Sequence, residues 1–423
     1  MLTLSKKRLI IIGGLIFLGL ILVVAIFMNL RSNTEPQAVL IKVWGTDSRQ
    51  VFDQIAGLYR QANPTVTIEY KQIDPEYYES EVVNAMARAE GPDVFMVNNR
   101  NFYRSQDKMM PYGGLLPAPS PGQDSFNLVD LRAAFPSVVE QDFVKGGKMY
   151  ALPLYVDTLA MFYNQDLFDR ASIVAPPRNW EDLKKIVPYL RSMNQSNQIV
   201  QSAAAIGWSD KTISYPANLV ELLMLQNSDS QSSAKDQDAF NFYLQFGNSG
   251  STYYTWNETL GKDYEMFLNN KVAIVFGYHS DKKDLLEKSP YLNLRVAQMP
   301  QISSNAKNFA DYWGLAVSRQ SKIAAPAWDF VIKFTTSYQY AKEYMTATAR
   351  PPALKSLIEE NINDIDKGIF ARQALTARAY QITDGRAADL YLGAAINKVV
   401  SGQADSKSAF SEAKSKLDLI KIK

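Results

Sequence analysis

Val39-Leu40-Ile41-Lys42-Val43-Trp44 is followed by Arg49 to Ala62, then by Val66-Thr67-Ile68-Glu69-Tyr70, Tyr77 to Glu90 and Asp93-Val94-Phe95-Met96-Val97. The first, third and fifth of these stretches are short apolar runs of strand type. In the second, Val51, Phe52, Ile55, Leu58 and Tyr59 recur at helical spacing, and Asn63-Pro64 and Gly91-Pro92 stop the two helices. Strand, helix, strand, helix, strand predicts parallel β-α-β units and an open α/β sheet. Such sheets hold ligands at the carboxyl ends of their strands. The loops Trp44 to Ser48 and Asn98 to Phe102 are therefore expected to line a crevice.

Further along, Ala151 to Tyr155, Leu159 to Asn164, Lys271 to Gly277, Leu294 to Met299 and Trp313 to Ser318 read as strands. Helices are expected over Trp180 to Met193, Tyr215 to Gln226, Gly261 to Asn270, Pro326 to Ser337, Tyr340 to Ala349, Pro352 to Ile362, Gly368 to Ala379, Arg386 to Val400 and Ser406 to Ile420. Asn227 to Asp238, rich in Ser, Asp and Gln, reads as a polar loop. No GxGxxG, P-loop or GxSxG occurs, so no cofactor is expected.

The 423 residues suggest about two domains or lobes. There is no cysteine and one histidine, His279, which excludes disulfides, thiolate metal sites and His-rich zinc centres. The 23 Tyr, 20 Phe and 6 Trp point instead to non-covalent recognition. The net charge of +2 is uneven: residues 1–31 carry four basic groups and no acid, leaving 41 basic and 43 acidic residues beyond. A nearly neutral remainder argues against a nucleic-acid partner.

Leu9 to Met28 is a run of twenty residues without charge. It is long enough to cross a bilayer core of roughly 30 Å. Lys6-Lys7-Arg8 precede it, so the positive-inside rule puts residues 1–8 in the cytoplasm and everything after Arg31 outside. A cleaved signal peptide is the rival reading. The apolar run is long for that, and its end, Val24-Ala25-Ile26-Phe27-Met28, offers no good small-x-small site, which favours a transmembrane signal anchor over 9–30. Residues 31–37 read as a linker.

A series of short matches in shared order spans roughly Val39 to Leu419. It comprises Ile41-Lys42-Val43-Trp44-Gly45, Gly91-Pro92-Asp93-Val94, Gly113-Gly114-Leu115-Leu116-Pro117 and Gly147-Lys148-Met149-Tyr150-Ala151-Leu152-Pro153. Phe162-Tyr163-Asn164-Gln165-Asp166-Leu167-Phe168, Pro176-Pro177-Arg178-Asn179-Trp180-Glu181-Asp182-Leu183, Phe267 to Ile274, Tyr312 to Val317 and Ala327 to Val331 continue it. In this order the chain resembles the extracellular solute-binding proteins of ABC importers, in the large oligosaccharide-binding group with the maltose-binding and glycerol-3-phosphate-binding types. The resemblance implies a two-lobed α/β fold of the periplasmic-binding-protein kind, type II, with a hinge-bending cleft. The first lobe is expected over 38–153 and 314–345 and the second over 154–313 and 346–423. The chain is expected to cross between them near Pro153 to Asp157 and Pro300 to Trp313.

The resemblance and the strand ends together nominate ligand contacts. Trp44 and Asp47 follow the first strand; a core role competes for Trp44, and a helix-capping role for Asp47. Asn98, Asn99 and Arg100 follow the third strand, where the family places polar contacts, and a turn role competes for the asparagines. Tyr155 and Asp157 lie in the first crossing, where the family puts an acidic or amide contact, with a plain hinge role as the alternative. Tyr215 begins a helix, and Gly277-Tyr278-His279 departs from the family's common Gly-Pro-Trp while keeping an aromatic ring. Lone histidines are more often structural than ligating. Trp313 resembles the family's Trp-Gly at the second crossing. Arg350-Pro351-Pro352 resembles its cleft-edge loop, although Arg350 also suits the end of the preceding helix.

The expected function is capture of a sugar, oligosaccharide or related polyol outside the cell and delivery to the transmembrane subunits of an ABC permease. The molecule would be monomeric, membrane-tethered and not an enzyme. An extracellular carbohydrate-active enzyme, with two carboxylates about 5 to 9.5 Å apart, is the alternative from another class. A ligand-sensing ectodomain is a third reading, against which the cytoplasmic stretch is too short for an output domain.

Overall fold

The computed structural model describes residues 38–113, 126–229, 232 and 234–422, together with Gly19. Apart from Gly19, the expected anchor lies outside the described residues, as do 1–8, 31–37 and the Gly114-to-Pro117 part of one family match. Among the described residues no helix is long and apolar enough to cross a membrane.

The β-α-β units form as expected. Val39–Gly45 pairs in parallel with Val66–Gln72 on one side and with Val94–Asn98 on the other. The helix Arg49–Ala62 covers this sheet with Val51, Phe52, Ile55 and Tyr59 buried, the face its spacing assigned to the core. Two late strands complete the sheet, Trp313–Val317 antiparallel to Val94–Asn98 and Ala151–Pro153 antiparallel to Trp313–Val317. Trp313 thereby stands opposite Asn98 at the sheet's carboxyl edge.

A second five-stranded sheet runs in the order Leu294–Ala297, Ala160–Asn164, Val272–Gly277, Ile199–Ala204, Ser192–Met193. Each sheet has its own apolar core: Phe52, Phe95, Phe143 and Trp328 lie in the first, and Met161, Trp180, Phe240 and Phe276 in the second. Between them stands a three-stranded sheet in which Asn308–Asp311 pairs antiparallel with Asp157–Thr158 and parallel with Ala377–Arg378. These strands carry the chain between the two sheets.

Several local expectations change. The helix from Trp180 ends at Leu190, and Ser192–Met193 and Ile199–Ala204 are strands. The second of these is weakly patterned, and it is tied down by Ser202 and Thr255, whose hydroxyls lie 3.0 Å apart. The expected polar loop Asn227 to Asp238 contains the start of a helix, Lys235–Leu244, with Asp236 and Asp238 in its first turn. The helix from Gly368 stops at Ala374 because Ala377–Arg378 pairs with Asn308 and Phe309, and Asn308 Nδ2 donates to Thr376 Oγ1 at 2.7 Å. Lys355–Asn361, within the stretch assigned to the second lobe, buries Leu357 and Ile358 in the first core.

Candidate functional site

Three polar groups occupy the ground between the sheets. In the first, Asp47 accepts from Arg350 Nη2 at 3.0 Å and from the Tyr344 hydroxyl at 2.6 Å, and the Arg350 guanidinium lies 4.3 Å over the Tyr155 ring. Ser48 holds the N-cap position of the Arg49 helix, so the side chain of Asp47 is free to pair with this arginine. Arg350 likewise follows a left-handed Ala349 away from its helix and serves Asp47.

The second group centres on Arg100. Asn98 accepts from the Arg100 backbone N–H at 2.9 Å and donates from Nδ2 to Asp311 at 2.6 Å. The Arg100 guanidinium then reaches across to the other half of the molecule, donating to Glu221 at 2.8 Å and to both oxygens of Asp389 at 2.7 and 2.9 Å. Burial pushes the Glu221 carboxyl up, and the arginine opposes the rise. Asn99, next in sequence, donates to Asp142 and exchanges bonds with the Tyr312 backbone, so it fastens the turn to the strand beside it.

The third group joins the crossing strand to the second sheet. Asp157 accepts backbone N–H groups from Thr158 at 2.8 Å and from His279 at 3.0 Å. Burial pushes its carboxyl up to about 8, with those amides opposing the rise. His279 opens the helix His279–Lys288, and its Nε2 lies 3.2 Å from Asp366 Oδ2. Lys282 also donates to Asp366, and these hydrogen bonds, His279's first, hold that carboxyl well below its usual range. Tyr278 donates its backbone N–H to Asp281, which also accepts from the Tyr215 hydroxyl, and the Tyr215 and Tyr278 rings meet edge to face at 5.0 Å.

A cleft of about 700 Å³ opens beside the second group, with Tyr78, Asn98, Arg100, Asp311, Trp313 and Asp389 in its wall, and the first and third groups do not line it. Three nominated residues, Asn98, Arg100 and Trp313, line it directly. Trp313 packs edge to face on Tyr78 at 5.7 Å, which fixes its ring at the cleft wall. Trp44 packs against the first core with Lys71 Nζ 4.3 Å over its ring. Asp311, Asp389, Glu221, Asp281 and Tyr78 were not nominated. Asp311 had a legible signal, being two residues before Trp313 at the second crossing, and Glu221 had one in its helical spacing from Asn218 after Tyr215. Asp389 had none, since its helix approaches Arg100 only through folding. Among the described residues no group of three His, Asp or Glu side chains is placed to hold a metal ion.

The profile of the family described as bacterial extracellular solute-binding protein matches residues 54–369. The chain belongs to that family. It is a binding protein and not an enzyme, and its folded part belongs outside the cytoplasm. A putative binding protein of Brucella abortus (strain 2308) is 20% identical to this solute-binding protein over 385 residues, 87% of this chain and 89% of the relative. Among solved structures, the sugar-binding protein MalE of Xanthomonas citri superposes with a TM-score of 0.73 at 17% identity, over 90% of this chain and 96% of that one. An ABC substrate-binding protein of Listeria monocytogenes in complex with cycloalternan gives 0.69 at 14%, over 90% and 98%. At such identities the likeness establishes the two-lobed α/β fold, to which the solute-binding protein conforms.

Proposed function

We propose that this protein is the substrate-binding component of an ABC importer, capturing a sugar, oligosaccharide or related polyol and handing it to the permease by closure of its lobes. The observation that carries the reading is the cleft wall, where the Trp313 ring stands beside Asn98 and Asp311. A flat ring covers the C–H face of a sugar, and neighbouring amide and carboxylate groups bond its hydroxyls. Family membership supports it, as do the sugars named in the complexes of similar fold. So does a short match, 34% identical over 59 residues, to a probable ABC transporter-binding protein of Deinococcus radiodurans.

In this reading Trp313, Asn98, Tyr155, Asp157, Tyr215, Tyr278 and His279 meet the ligand. Asp47, Asn99, Arg100 and Arg350 hold the walls in place, and Trp44 backs them from the core. The lobes meet at the crossing strands Asp157–Thr158 and Asn308–Asp311, and the Lys355–Asn361 helix goes with the first lobe. The N-terminal apolar run tethers a monomer to the membrane with residues 1–8 inside. The decisive experiment is a thermal-shift screen of the full chain against oligosaccharides and polyols, because a ligand bound only by the folded state raises the melting temperature. No shift with any carbohydrate overturns the sugar assignment.

A further inference from the structure

The turn after Val94–Asn98 grips a helix of the other half of the molecule at three successive positions. Arg100 donates to Glu221 at 2.8 Å and to the two Asp389 oxygens at 2.9 and 2.7 Å. The Gly385 backbone N–H donates to Asn101 Oδ1 at 3.1 Å, and Arg104 Nη1 lies 3.6 Å from Asp384. Asp384 caps the helix Gly385–Val400, whose Leu392 and Ile396 are buried in the second core. The two backbones approach so closely that a Cβ on Gly385 would meet Arg100 Cβ at 2.6 Å. These bonds run directly from lobe to lobe, so no solute is needed to bridge them.

The bonds are unequal in weight. Arg104 and Asp384 form an exposed pair, which adds little. Arg100 instead meets Asp389 through two parallel N–H donors, the geometry in which a guanidinium holds a carboxylate most firmly. Asn218 Nδ2 steadies that carboxylate at 3.2 Å, and its Oδ1 accepts from the Tyr278 hydroxyl at 3.3 Å. The grip is thus joined by hydrogen bonds to a nominated ligand ring. Tyr155, Asp157, Tyr278 and His279 are all buried, and none of them lines the cleft of about 700 Å³. A solute reaches these four only when the lobes part.

We propose that Arg100 is a latch that keeps the lobes closed before any solute arrives, so that solute entry waits on breaking its bonds to Glu221 and Asp389. The inference goes beyond the solute-capture reading and holds whatever the solute is.

The test is a distance measurement across the lobes. The chain has no cysteine, so a cysteine pair can be labelled without background. Ala87→Cys, exposed at the end of the helix Tyr78–Ala87, and Ala394→Cys, exposed on the helix Gly385–Val400, carry two spin labels on the full chain in detergent, with no solute added. With the latch intact, one short distance is expected. Asp389→Asn and Arg100→Gln should each raise the share of molecules at a longer distance at least about tenfold, whereas Arg104→Gln should leave the distribution as it was. The Asp389 side chain is 41% exposed, so its variant is expected to fold and to decide the matter even if Arg100→Gln does not. A longer distance already dominant with the latch intact overturns the inference. So does the short distance alone in Asp389→Asn, or equal opening in Arg104→Gln. None of these results touches the identity of the solute, which the thermal-shift screen tests separately.

Discussion

Arg100 Nη2, on the turn after the third strand of the first sheet, donates at 2.8 Å to Glu221 Oε2, on a helix that packs against the second. The arginine side chain is 7% exposed and the glutamate wholly buried. A buried pair of this kind adds little net stability over an apolar pair, yet breaking it is costly because a charge is left without a partner. Here it also joins the two halves of the molecule, so its loss should affect their closure as well as their folding.

Arg100→Ala is accordingly expected to destabilise the protein by about 3 kcal/mol or more. Adding Glu221→Gln should recover part of the loss, since the buried charge goes with the arginine. Denaturant unfolding of both single variants and the double variant measures the coupling. Purely additive losses would refute the pairing.

Acid should favour the folded state over part of the pH range. Burial raises Asp157 to about 8 and Asp142 to about 7, above the roughly 4 expected of carboxylates in an unfolded chain. Between those values the folded protein binds more protons, so stability is full below about pH 4 on their account and falls as pH rises through about 7 and about 8. Asp366 acts in the opposite sense, its contribution being lost as pH falls below the usual carboxylate range. A melting temperature higher near pH 5 than near pH 8 is expected, with a shallower slope in Asp157→Asn. A flat profile in the parent protein would contradict the burial of these acids.

Trp313→Ala is expected to reduce sugar affinity by about tenfold or more while costing roughly 1 to 2 kcal/mol of stability, the ring being half-buried on Tyr78. Calorimetry alongside denaturant unfolding separates the two effects. Full affinity in the variant would remove the ring from the binding surface.

Gly207 sits at φ +92°, and a Cβ there would meet the Gly247 backbone nitrogen at 2.4 Å. Gly207→Ala should therefore cost about 2 kcal/mol or more through strain and close contact, read as a fall in denaturation midpoint. An unchanged midpoint would show that the two loops separate readily.

The strands Val39–Gly45, Val66–Gln72 and Val94–Asn98 and the helix between the first two were legible in sequence because apolar periodicity and Pro or Gly stops act over a few residues, and the solute-binding family through the resemblance of short segments in shared order. Asn98, Arg100 and Trp313 were legible as cleft residues because Asn98 ends a strand at the sheet edge, Trp313 begins one there, and Arg100 lies in the turn that follows Asn98. What those residues touch was not. Arg100 reads as a ligand contact until Glu221 and Asp389 arrive from helices more than a hundred residues away, and Asp157, nominated as a ligand contact in the first crossing, accepts from the backbone of His279, also more than a hundred residues away. Local chemistry sets where a strand ends, whereas the pairing of charges depends on which distant elements fold against it, and only the tertiary structure decides that.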